Sequence, residues 1–202
     1  LTGSEYAGSK VGGCSGKNLK KTVLELGGSD PFIVMDDADL DRCVDGAVKG
    51  RMLNNGQSCI AAKRFIVHSS VHDKFVDSLK GALENLKIGD PMNEETEVGP
   101  LSREDILRDI DEQVKKSVGL GATLEYGGEC VDGDGYFYRP AILTGVTKQM
   151  PVYHDETFEH AEHINDLIKS NAIFVASGVT DGNLLKGVKK IKNKFIVSSL
   201  II

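Results

Sequence analysis

The chain has 202 residues, 40% hydrophobic and 27% charged, with a formal net charge of −6. That is ordinary globular usage, in a chain long enough to bury a core without disulfide staples. No basic stripe or basic-aromatic motif points to nucleic acid. The apolar runs are short, such as those at 32–35 and 195–197, far below the roughly 20 residues that cross a bilayer, so no membrane role is expected.

Taken in order, the glycines between Gly3 and Gly16 read as loop or tight backbone contact. Thr22 to Leu26 reads as a short strand ended by Gly27-Gly28. Phe32 to Met35 reads as a strand buried on both faces. Asp39 caps a helix running to about Leu53, with Leu40, Val44, Ala47 and Val48 at helical spacing. Phe65 to Val67 is a strand and Val71 to Leu86 a helix. A second helix spans Ser102 to Val118, opened by a cap of the form S-x-x-D. Strands follow at 122–126 and 138–143, then a helix at 159–169, a strand at 173–176, a helix at 183–192 and a strand at 195–198. Strands alternating with helices predict an α/β fold, a mostly parallel open sheet with helices on both faces. The chain starts without Met and stops on Leu200-Ile201-Ile202, so it reads as a piece of something longer.

Of the four cysteines, Cys14, Cys43, Cys59 and Cys130, none forms a C-x-x-C pair. Scattered thiols suggest a reducing, cytoplasmic setting. Cys59 lies in Asn54-Asn55-Gly56-Gln57-Ser58-Cys59, between a predicted helix and a predicted strand, where catalytic groups tend to sit. Lys63 and Arg64 follow and can stabilise a thiolate. The plainer reading is a small buried hydrophobe. Cys14, Cys43 and Cys130 carry no partner motif and read as structural. Glu25 sits within an apolar strand; it either faces solvent by alternation or lines a cavity, where burial would raise its pKa and suit a general base. The cluster of His154, His160 and His163 among acidic residues matches no zinc signature; it reads as a solvated helix start, and no metal is expected.

Leu24-Glu25-Leu26-Gly27-Gly28-Ser29-Asp30-Pro31 resembles the glutamate signature of the aldehyde dehydrogenase superfamily, and Asn55-Gly56-Gln57-Ser58-Cys59 resembles its cysteine signature, in the family's order and register. Thr2-Gly3-Ser4 is similar to the loop that approaches the cofactor. Glu156-Thr157-Phe158 is similar to the E-x-F motif that holds the nicotinamide ribose and ring. The run from Ser58 to Phe65 most resembles the succinate-semialdehyde branch. The resemblance implies oxidation of a small-molecule aldehyde with NAD or NADP, Cys59 as nucleophile and Glu25 as general base. It assigns Gly3, Ser4, Leu26, Gly27, Glu156 and Phe158 to the cofactor, and a homo-oligomer to the complete protein. Residues 1–202 then read as a catalytic-domain fragment whose amino-terminal dinucleotide-binding portion and oligomerisation segment are absent. After Phe158 the family's Gly-Pro is missing and Glu159-His160-Ala161-Glu162-His163 follows at once, as though a stretch were deleted. A decayed fragment serving as a binding or scaffold piece is the alternative, and a cofactor-free thiol esterase a third reading.

Overall fold

The computed structural model describes residues 1–153, together with the backbone of two strands at Phe174–Ala176 and Phe195–Ile201. The glycine-rich start is not a loop. It forms helix α1 (Glu5–Lys17), opened by Ser4, whose hydroxyl accepts from the Ala7 N–H at 3.2 Å. Glycine weakens a helix, but at position 8 it lets a neighbour approach. A Cβ there would lie 2.6 Å from the Leu26 side chain. Gly8 is the only buried residue of α1.

The expected strand at 22–26 is also absent. The segment has no regular structure and touches the chain start through an isolated bridge between Thr2 and Glu25. Strand alternation has nothing to act on, since Val23 and Leu24 are exposed. Strand β1 (Asp30–Val34) follows, then α2 (Leu40–Met52), capped by Asp39, which accepts from the Arg42 N–H at 3.2 Å. Strand β2 (Ala62–His68) is longer than the apolar triplet suggested and pairs in parallel with β1, Phe32 opposite Phe65 and Val34 opposite Val67. Helix α3 (His72–Glu84) buries Phe75, Val76, Leu79 and Leu83, the stripe its spacing predicts.

Helix α4 (Glu104–Gly119) starts later than the S-x-x-D motif implies. Arg103, not Ser102, stands at its cap and forks onto the Asp105 carboxylate at 2.9 and 2.8 Å, an exposed pair that occupies the expected capping acid. Strands β3 (Thr123–Tyr126) and β4 (Ala141–Thr144) then pair antiparallel. Strand β5 (Phe174–Ala176) joins β1 in parallel. Strand β6 (Phe195–Ile201) lies antiparallel between β2 and β4. The sheet order is β3-β4-β6-β2-β1-β5. The α/β expectation holds, with parallel pairing through β5, β1 and β2 and antiparallel pairing through β6, β4 and β3. The predicted helices at 159–169 and 183–192 lie outside the described residues.

The main core joins β1 and β2 to α2 and α3. Phe65 stacks near Phe32 and Phe75, with ring centroids at 5.2 and 6.2 Å. Each such buried side chain contributes on the order of 1.5–3 kcal/mol by removal from water. A second cluster gathers Val114, Ala141, Leu143 and Val152. On β4, Ile142 faces the first cluster while Ala141 and Leu143 face the second, as strand alternation requires.

Candidate active site

Helix α2 ends where the backbone turns left-handed. Asn54, Asn55 and Gly56 have φ of 52, 55 and 74°. Asparagine tolerates this region better than any other side-chain-bearing residue except aspartate, and glycine tolerates it freely, so N-N-G suits a sharp reversal. The reversal leads into the loop Gln57–Ala61, which exposes Cys59 and Ile60, buries Ala61 and returns the chain into β2. Cys59 sits at its exposed apex, with Ile60 beside it also exposed. The sulfur is therefore open to solvent, unlike Cys43, which is buried and whose thiol burial pushes up. Cys14 and Cys130 are exposed, so the structural reading of the remaining thiols holds for Cys43 alone.

Side-chain amides brace the turn. Asn54 donates to the Gln57 carbonyl at 3.2 Å. Asn55 donates to the Pro100 carbonyl at 3.1 Å and accepts from the Gly99 N–H at 2.9 Å. Gln57 accepts from the Ser102 N–H at 3.0 Å. The amides of the cysteine motif thus hold the loop against residues 99–102 rather than lying beside the sulfur.

Beneath the loop lies Arg51, 3% exposed. Its guanidinium donates to the Gly56 carbonyl at 3.3 Å and the Ala62 carbonyl at 3.4 Å, bracketing the loop at both ends. Burial pulls it down to about 10, and its Nε has no hydrogen-bond partner among the described residues. Sequence reasoning missed Arg51, although position 51 continues the stripe of Val44, Ala47 and Val48 and so falls on the buried face.

The glutamate signature meets this loop directly. Gly28 packs on the Cys59 backbone, and a Cβ at 28 would collide with the Cys59 carbonyl oxygen. The Lys63 ammonium donates to the Gly28 carbonyl. Arg64 grips the next carbonyl, that of Ser29, through Nε at 3.1 Å and Nη2 at 2.9 Å. Glu25 is exposed, and its backbone is fixed on the other side by the chain start. Its N–H donates to the Leu1 carbonyl at 2.8 Å and its carbonyl accepts from the Gly3 N–H at 3.0 Å. Gly3, Ser4, Leu26 and Gly27 therefore flank Glu25. Gly3, Ser4 and Gly27 are exposed, and a Cβ at Gly27 would meet nothing. Leu26 is half-buried against Gly8. Glu156 and Phe158 lie outside the described residues, as do His154, His160 and His163. Among the described residues no cluster of acids, histidines and cysteines forms a metal site.

Residues 1–159 match the aldehyde dehydrogenase family model. The chain belongs to the aldehyde dehydrogenase family. A succinate-semialdehyde dehydrogenase [NADP(+)] of Mycobacterium avium is 54% identical over 158 residues, 78% of this chain and 34% of that protein. The chain thus spans about a third of the length of the curated aldehyde dehydrogenase relatives it matches. Among solved structures, a succinate-semialdehyde dehydrogenase from Burkholderia pseudomallei superposes with a TM-score of 0.78 at 30% identity, covering 91% of this chain and 45% of that one. The NAD+ complex of an aldehyde dehydrogenase from Bacillus cereus superposes with a TM-score of 0.78 at 32% identity, covering 88% and 39%. Residues 147–202 also match a second family model, bacterial fructose-1,6-bisphosphatase, glpX-encoded. The aldehyde dehydrogenase match stops at residue 159, immediately after Phe158, where the sequence departs from the family pattern.

Proposed function

We propose that the chain is the catalytic portion of an NAD(P)-dependent aldehyde dehydrogenase, with Cys59 as nucleophile, Glu25 as general base and succinate semialdehyde as the favoured substrate. The observation that carries the reading is the packing of Gly28 on the Cys59 carbonyl, which puts the glutamate and cysteine signatures in contact. The substrate follows the mycobacterial and Burkholderia relatives, whose names carry it.

The Cys59 thiolate attacks the aldehyde carbon. A C–S bond forms as the carbonyl π pair moves onto oxygen, and the Cys59 backbone N–H can donate to that oxyanion; one such donor is worth roughly 3–4 kcal/mol. Gly3, Ser4, Leu26 and Gly27, and outside the described residues Glu156 and Phe158, would hold the dinucleotide. Their fit rests on the open surface at Gly3, Ser4 and Gly27 beside Glu25. When bound, the dinucleotide supplies the hydride acceptor. A thioester on Cys59 results. Glu25 then takes a proton from water, the hydroxyl adds to the acyl carbon, and the C–S bond breaks to return the thiolate and release the acid.

The chemistry belongs to residues 1–159, where the family match lies. Residues beyond 159 extend the same sheet through β5 and β6, and in this sense the chain reads as one domain over 1–202. The complete protein is expected to be a cytoplasmic homo-oligomer. Site-resolved alkylation with iodoacetamide tests the assignment. Cys59 should label faster than Cys14 and Cys130, which are also exposed, and far faster than buried Cys43. Reduced nicotinamide should appear on mixing with succinate semialdehyde and NADP+, and vanish in Cys59→Ser. Equal labelling of all the thiols would overturn the reading.

A further inference from the structure

Three cations surround the junction of the two signatures, and they do different work. Arg51 is turned under the loop, onto the Gly56 and Ala62 carbonyls. Arg64 is buried, with two of its nitrogens on the Ser29 carbonyl. Lys63 is only half-buried, lies at the start of β2, and reaches back to the Gly28 carbonyl. Gly28 is the residue whose backbone packs on Cys59. Lys63 is thus the one cation of the three attached to the point where the glutamate segment meets the nucleophile loop.

We propose that Lys63 is a positioning residue for the nucleophile: its ammonium pins the Gly28 turn against the Cys59 loop and sets a fixed positive charge beside the sulfur, favouring the thiolate. The inference rests on Cys59 being the nucleophile and adds a residue that neither signature contains. The charges that act on Lys63 besides Cys59 are Arg51 on α2 and Asp30 on β1. Burial lowers the Lys63 ammonium from its ordinary value and Arg51 adds to this, while Asp30 and Cys59 oppose it. An ammonium close to a thiol favours its thiolate form by opposite charge. Lysine is a compact point charge on a flexible stem, suited to serve a carbonyl and a nearby sulfur together.

The test measures alkylation of Cys59 by iodoacetamide between pH 6 and 10, resolved by peptide mass spectrometry, in the chain as it stands and in Lys63→Met, Lys63→Gln and Lys63→Arg. Lys63→Met should slow Cys59 about tenfold at pH 7 and displace its rate–pH curve to higher pH. Lys63→Gln keeps a donor for the Gly28 carbonyl but no charge, and should show most of the same loss. Lys63→Arg should recover the rate to within about threefold. Cys14 and Cys130 should be unchanged in every variant, and buried Cys43 should stay slow, which reports that the fold is intact. If Lys63→Gln labels at the parent rate across the whole pH range, the charge at 63 does not act on the sulfur and the proposal is wrong. If Cys59 in the unsubstituted chain labels no faster than Cys14 and Cys130, the nucleophile assignment itself falls, whatever Lys63 does.

Discussion

The two halves of the site are supported very differently. Cys59 stands on the main core: its loop springs from α2, returns into β2, and is gripped by Arg51 and by the amides of Asn55 and Gln57. Glu25 stands on an arm. Residues 1–28 bury little besides Gly8, leave Tyr6, Leu19 and Val23 largely exposed, and hold Glu25 by two backbone hydrogen bonds to Leu1 and Gly3. Burial density sets local stability, so the arm should open at far lower free energy than the core. The proposed nucleophile is therefore preorganised by the fold. The proposed base depends on contacts made at the junction, where Gly28 meets Cys59 and Lys63 bonds back.

That contrast can be broken at graded points. The largest effect belongs to the core: Phe65→Ala removes a ring packed on Phe32 and Phe75 and should cost about 3–5 kcal/mol in denaturant unfolding. A loss below about 1 kcal/mol would mean that the core is not what carries the cysteine loop. The junction comes next. Gly28→Ala drives a methyl into the Cys59 carbonyl and should cost about 1–3 kcal/mol, with loss of the preferential labelling of Cys59. Unchanged stability and labelling would show the two signatures to be in loose contact only. The arm should respond least. In Gly8→Ala the new Cβ meets only the movable end of Leu26, and the helix gains up to about 1 kcal/mol in propensity, so thermal unfolding should move little in either direction. A destabilisation as large as that of Phe65→Ala would make the arm part of the core and erase the distinction.

The sequence went furthest where local chemistry and periodicity agree. Asp39 as a cap, the α2 and α3 stripes, and the apolar β1 and β2 all follow from side-chain spacing, and the structure has them. The cysteine and glutamate motifs were legible as well, since both are contiguous strings. It failed where a residue's role depends on a distant neighbour. Glycines at 8 and 12 look like loop until Leu26 and Leu24 are seen across from α1, and Glu25 looks like strand until it is seen to make only an isolated bridge with the chain start. Antiparallel β6 between β2 and β4 carries no mark in strand–helix alternation, because pairing direction depends on the route of the connecting chain and not on the strand's own residues. Side-chain spacing determined the central elements β1, α2, β2 and α3, and the resemblance of two contiguous motifs pointed to Cys59 and Glu25. Only the tertiary structure decided that Gly28 rests on Cys59 and that Lys63 bonds back to Gly28, because contacts between residues more than 30 apart in the chain follow from packing rather than local preference.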